Sequence, residues 1–147
     1  MSRARTLIVA ANDVFFDGLV EWVAHDGQLD VVGRARSGAQ ALERLEDLRV
    51  DVVLMDVTLP DQSGFEVARR ITSRADAPLV VLLSFHDNHA ARLEAWAAGA
   101  DGFVAKSETT ECLSPLVGNL LRKRRIDVRE EVSINPNMPA KQTDTSK

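Results

Sequence analysis

Five short runs of β-forming apolar residues punctuate the chain: Leu7-Ile8-Val9-Ala10, Val31-Val32-Gly33, Val52-Val53-Leu54-Met55, Leu79-Val80-Val81-Leu82-Leu83 and Gly102-Phe103-Val104-Ala105. The third and fourth are continuous rather than alternating, as strands covered on both faces should be. Between the runs, apolar residues recur at helical spacing. Phe15, Leu19, Val20 and Val23 predict a helix over 14–23. Ala41, Leu42, Leu45 and Leu48 line a second, with Glu43, Arg44, Glu46 and Asp47 opposite. Phe65, Val67, Ala68 and Ile71 mark a third, and stretches 90–98 and 113–121 a fourth and fifth.

The punctuation agrees. Ser37-Gly38 and Ser63-Gly64 open the second and third helices, Asp87-Asn88 can cap the fourth, and Gly99 closes it. Pro78 enters its strand at the first residue, where a missing N–H does least harm. Ser114-Pro115 is less clean, because a proline in the first turn would start the last helix later than the periodicity suggests. Single helices between strands force parallel pairing with right-handed crossovers. The expected fold is α/β, a doubly wound (βα)5 five-stranded parallel sheet. No second apolar core follows the fifth helix, so the domain is expected to occupy 1–125. Residues 126–147 are rich in Asn, Pro, Thr, Ser and charge, and read as a disordered polar tail.

Composition narrows the function. A chain of 147 residues suits one domain, and 22 acidic against 18 basic residues give a net charge of −4. That balance argues against a broad nucleic-acid footprint. Cys112 stands alone, which excludes an intrachain disulfide and a cysteine metal cluster. No apolar run approaches the ~20 residues of a membrane helix. Asn12 and Asp13 cut short the apolar stretch after the basic N-terminus, which argues against a signal peptide. The expectation is a soluble cytoplasmic protein without membrane or nucleic-acid partners.

In an open parallel sheet, ligands collect beyond the carboxyl ends of the strands, near the point where strand order reverses. The residues there are Ala10, Ala11, Asn12 and Asp13, then Asp56, then Ser84 and Phe85, then Lys106. A carboxylate, a hydroxyl and an amine on successive strand ends make a phosphoryl-transfer constellation. The carboxylate attacks while hydroxyl and ammonium hold the phosphoryl oxygens.

With those residues in view, the run Asp51-Val52-Val53-Leu54-Met55-Asp56-Val57-Thr58-Leu59-Pro60-Asp61-Gln62-Ser63-Gly64 resembles the phosphoacceptor segment of bacterial response-regulator receiver domains. Ser84 matches the switch Ser/Thr of that family. Gly99-Ala100-Asp101-Gly102-Phe103-Val104-Ala105-Lys106 matches the stretch carrying the switch aromatic, Phe103, and the site lysine, Lys106. The likeness covers roughly 5–122. It implies a flavodoxin-like sheet in the order 2-1-3-4-5 and Asp56 as phosphoacceptor. It also implies a histidine kinase or phosphotransfer protein as donor. A downstream protein, or a second copy, would then be contacted through the face of helix 4, strand 5 and helix 5.

The likeness fails at one place. Where the family carries an acidic pair that holds Mg²⁺, the ungapped register puts Ala10 and Ala11, and a one-residue slip puts Ala11 and Asn12. The donors left are Asp56, the Thr58 backbone carbonyl, and either Asn12 or Asp13, so Mg²⁺ is expected to bind weakly or not at all. On this reading, Ala10→Asp with Ala11→Asp should tighten Mg²⁺ more than about tenfold by restoring charge and geometry. Phe85 adds a second oddity, a benzyl group that narrows access to Asp56.

Other features have plainer explanations. His86 and His89 have ligand-like spacing without a third partner, and fit loop positions. Arg122-Lys123-Arg124-Arg125 falls where cations complement a helix dipole. Trp22 fits core filling, and Trp96 either core or a partner face. The leading expectation is a stand-alone receiver phosphorylated on Asp56, acting by protein contact and not an enzyme in its own right. Its first rival is an interaction module that needs no phosphate. A DNA-binding regulator without its effector domain is the second rival, and an enzyme acting on small substrates ranks below it.

Overall fold

A computed structural model describes residues 3–133; residues 1, 2 and 134–147 lie outside it. The chain alternates β1 (Ala4–Val9), α1 (Asp13–Asp26), β2 (Leu29–Ala35), α2 (Gly38–Asp47), β3 (Val52–Asp56), α3 (Gly64–Thr72), β4 (Leu79–Ser84), α4 (His89–Ala97) and β5 (Gly102–Ala105). A 3₁₀ turn at Lys106–Glu108 then leads into α5 (Thr109–Ser133). All strand pairs are parallel, in the order β2-β1-β3-β4-β5. Both the fold class and the strand order match the expectation.

The continuous apolar strands supply both faces of the core. Leu7, Val9, Val53, Met55, Val80 and Leu82 pack with Val67, Ala68 and Ile71 of α3 and Ala95 of α4. Ile8, Ala10, Leu54, Val81 and Leu83 pack with Leu19 and Val23 of α1 and Leu113, Val117 and Leu121 of α5. Each leucine-sized side chain buried this way contributes about 1.5–3 kcal/mol. β3 and β4 are buried along their whole length, as their unbroken hydrophobicity predicts. The expected caps are in place: Ser37 accepts from Gln40 N–H, Ser63 from Phe65 N–H and Asn88 from Ala91 N–H. Gly99 adopts φ 81° just beyond α4, a conformation that favours glycine.

The last helix departs from expectation. It begins at Thr109, ahead of the expected 113, and holds Pro115 in its second turn rather than its first. The exposed Glu111 carbonyl loses its partner to the proline, but solvent can reach it. Packing of Leu113, Val117 and Leu121 against the sheet outweighs that loss. The backbone stays helical past 125 as far as Ser133, and the rest of the expected tail lies outside the described residues.

Two contacts shape the loop after β3. A Cβ on Gly64 would stand 2.6 Å from the Asp56 carbonyl oxygen and 2.7 Å from Val57 Cα, so this glycine lets α3 start directly against the strand end. Asp61 reaches across to α2, accepting from Gly38 N–H at 2.8 Å and Ala39 N–H at 3.0 Å. Those two backbone donors at a helix N-terminus hold its carboxyl down to about 2, from an ordinary 3.8.

Gly64→Ala forces backbone apart and should cost about 1–3 kcal/mol or more, read by denaturant unfolding. The depressed Asp61 pKa stabilises the fold fully above about pH 4, and that contribution is lost as pH falls toward 2. Asp61→Asn should therefore flatten the pH dependence of melting within that window; an unchanged slope would place the acid sensitivity elsewhere.

Candidate functional site

Asp56 is the one charged residue of β3 and its last. Side chains alternate along a strand, so Asp56 shares the face of Leu54, under α1 and α5. Lys106 follows β5 directly. β4 lies between these two strands, and the side chains meet across its end: Lys106 Nζ stands 2.8 Å from Asp56 Oδ2. Asp56 Oδ1 accepts from Thr58 N–H at 2.9 Å. Both side chains are almost fully withdrawn from solvent, at 5% exposure for Asp56 and 7% for Lys106.

Two aromatic rings close over the ammonium. The Phe15 centroid, in the first turn of α1, lies 4.4 Å from Lys106 Nζ, and the Phe85 centroid 4.1 Å. Both distances fit cation–π attraction. Phe85 itself is 76% exposed, so a solvent-facing ring forms the outer wall of a buried ion pair. Ser84, at the end of β4, is 5% exposed. Its hydroxyl donates to the His86 carbonyl at 3.1 Å and accepts from His86 N–H at 3.0 Å. The three expected residues thus occupy adjoining strand ends, with Asp56 and Lys106 in direct contact and the Ser84 hydroxyl committed to its own loop. Phe103 is half-buried and packs against the α3–α4 side of the core, with the Arg92 guanidinium 5.3 Å from its centroid. Arg92 is held in turn by Asp87, whose carboxyl it lowers.

The corner after β1 differs most from what a metal needs. Val9 pairs with Met55, so Ala10 lies beside Asp56 across neighbouring strands, offering a methyl group. The Asn12 side chain caps α1, accepting from Phe15 N–H at 2.9 Å. Asp13 Oδ1 meets two guanidinium groups, Arg34 Nη2 and Arg36 Nη1, each at 2.9 Å. Hydrogen bonds from Arg34 and then Arg36 hold the Asp13 carboxyl below its usual range. Arg34 also donates to the Ala10 carbonyl at 3.0 Å and the Ala11 carbonyl at 3.4 Å, and lies 3.9 Å over the Phe16 ring. Among the described residues, no group of three or more His, Cys, Asp or Glu is placed to hold a metal ion. Mg²⁺ requires several oxygen ligands in near-octahedral array. One carboxylate, already paired with Lys106, does not fit it.

Sequence reasoning did not single out Phe15, Arg34 or Arg36. Phe15 looked like one more apolar residue of a helix. A basic pair flanking Ala35, at the carboxyl end of an otherwise apolar strand and next to the reversal in strand order, was the available signal for the arginines. The other motifs stay peripheral. His86 and His89 are exposed, as are Arg122, Lys123 and Arg124, the last donating to the Ala77 carbonyl. Trp22 packs on the α1–α5 core, whereas Trp96 and Leu93 of α4 are 79% and 52% exposed.

If Phe85 is the outer wall, Phe85→Ala should raise the rate of acylation of the Lys106 amine several-fold by a water-soluble acylating reagent, read by peptide mass spectrometry. Equal rates would mean the Asp56 pairing alone protects the amine.

The fold recurs in known proteins. Residues 6–117 match the response regulator receiver domain family. The DNA-binding transcriptional activator DevR/DosR of Mycobacterium tuberculosis is 38% identical over 102 residues, covering 69% of this chain and 47% of the relative. Protein-glutamate methylesterase/protein-glutamine glutaminase 2 of Koribacter versatilis is 34% identical over 112 residues, 75% of this chain and 31% of the relative. The chain therefore spans about half the length of these curated relatives, or less. The receiver domain of NarL from Mycobacterium tuberculosis superposes with a TM-score of 0.74 at 30% identity, covering 85% of this chain and 98% of that one. A LuxR-family two-component response regulator from Aurantimonas sp. SI85-9A1 gives 0.77 at 26% identity, covering 90% and 100%. Sheet order and family match coincide, and the chain belongs to the response regulator receiver domains of two-component signalling.

Proposed function

We propose that this receiver signals through protein–protein contact and keeps its Asp56–Lys106 pair in one state, without Mg²⁺-dependent phosphoryl transfer. Receiver domains generally bind Mg²⁺ at the phosphorylation site and interact with histidine kinases or phosphotransfer proteins. The observation that carries the proposal is the corner after β1. Two alanines stand where carboxylates would be needed, and the nearest acid, Asp13, is held by two arginines. Without a divalent cation, a phosphoryl group arriving at Asp56 would bring about two negative charges, and the arginines of this corner are already engaged by Asp13 and by backbone carbonyls. The sequence ranks phosphoacceptance first; the charge arrangement at this corner favours the phosphate-independent reading instead.

The contact surface we assign is α4 with β5 and the start of α5, where Trp96 and Leu93 face solvent. A kinase or phosphotransfer protein would be recognised without being used as a donor, and a second copy of the chain is the other occupant of that face. The names of the relatives as transcriptional regulators belong to longer proteins of which this chain covers about half, so DNA binding stays outside the proposal. No catalytic activity is assigned to the domain itself.

Phosphoacceptance is the second reading, favoured by the 2.8 Å contact between Asp56 and Lys106 with Ser84 on the adjoining strand end. Incubation with acetyl phosphate and Mg²⁺ separates the two. Intact mass should show no phosphoryl adduct, and Trp96 emission in a Trp22→Phe background should not move. An adduct accompanied by a Trp96 shift would overturn the proposal in favour of the second reading.

A further inference from the structure

The corner that lacks the acidic pair carries two arginines, both paired with Asp13. We infer that Arg34, with Arg36, is the resident cation of this corner. A fixed guanidinium takes the position of electrostatic control that a divalent ion would otherwise hold, so missing carboxylates alone do not explain why the site refuses a metal. The inference rests on the metal-free reading above and gives it a cause.

Geometry places the guanidinium there. Arg34 pairs with Ile8 in the β2–β1 register, and Ile8 and Ala10 share the α1–α5 face of the sheet. From that position Arg34 Nε and Nη2 donate to the Ala10 carbonyl at 3.3 and 3.0 Å, and Nη2 continues to the Ala11 carbonyl and Asp13. The Phe16 ring beneath it fixes the plane of the group. The Arg34 side chain is 19% exposed, whereas Arg36 is 54% exposed and adds its charge from outside. An oxygen-lined pocket for Mg²⁺ would draw on backbone carbonyls and acids at this turn. Here those groups, the Ala10 and Ala11 carbonyls and the Asp13 carboxylate, already have guanidinium donors.

A specific consequence separates this view from simple ligand loss. A carboxylate introduced at Ala10 or Ala11 would arise within reach of a cation that cannot be deprotonated. It would pair with Arg34 before it coordinated Mg²⁺. Restoring the acidic pair therefore does not restore the metal site, contrary to the gain expected from sequence, unless the guanidinium is removed as well.

The test is a calorimetric Mg²⁺ titration of the full chain in four forms: wild type, Ala10→Asp/Ala11→Asp, that pair with Arg34→Gln, and Arg34→Gln alone. The double variant should stay within about threefold of wild type, and the triple variant should bind about tenfold tighter than the double. Arg34→Gln alone should gain nothing, because it supplies no ligand. A double variant that gains tenfold by itself, or a triple variant no better than the double, would overturn the inference. Should Arg34→Gln unfold the domain, Arg36→Gln in the double background tests the same charge from an exposed position. It should tighten Mg²⁺ several-fold, and no change would count against the proposal. Metal affinity is read here without phosphoryl transfer. A phosphoryl adduct on wild-type Asp56 would refute the proposed function while leaving this result to be judged separately.

Discussion

The ion pair between Asp56 and Lys106 is the contact around which the carboxyl edge of the sheet is organised. It joins the ends of β3 and β5 over the intervening β4, and both partners are nearly dry. A buried pair of this kind is not a large net source of stability, since desolvation offsets much of the attraction. Removing one partner is costly, about 3–5 kcal/mol, because a bare charge would remain inside. The surroundings are arranged accordingly. Thr58 N–H satisfies the second carboxylate oxygen, and two aromatic rings cover the ammonium.

Around that pair, charge is distributed unlike a metal-dependent phosphoryl site. Such a site concentrates carboxylates to hold a divalent cation, which then neutralises an incoming phosphoryl group. In this protein the corresponding corner carries two guanidinium groups against one exposed acid, and its backbone carbonyls are already bonded. The positive charge is covalently part of the chain and cannot be exchanged with solvent.

What remains adjustable lies further out. Phe85 presents most of its surface to solvent while touching Lys106, and Trp96 and Leu93 expose apolar area on α4. Phe103 is held from one side by the core and from the other by Arg92, itself tied to Asp87. Of these outer groups, Phe85 is the one in contact with the buried pair.

The order of elements was legible in the chain because it depends on local periodicity. Unbroken apolar runs could only be central strands, and serine, asparagine and glycine marked the helix ends through bonds made within a few residues. The positions of Asp56, Ser84 and Lys106 followed as well, since the carboxyl ends of parallel strands share one edge. Even the missing acidic pair could be read directly, because it is a matter of residue identity at a known offset from a strand. The start of the last helix at Thr109, a full turn ahead of Pro115, was not legible, because packing of Leu113, Val117 and Leu121 decided it against a local preference. Nor were the pairing of Arg34 and Arg36 with Asp13 and the capture of Lys106 between Phe15 and Phe85. These join residues on different elements whose side chains meet only when β2 lies beside β1 and α1 crosses the sheet. Local sequence determined which groups stand at the edge; the tertiary structure decided which charges face one another there, because electrostatic pairing depends on distances of a few ångströms that only the folded sheet sets.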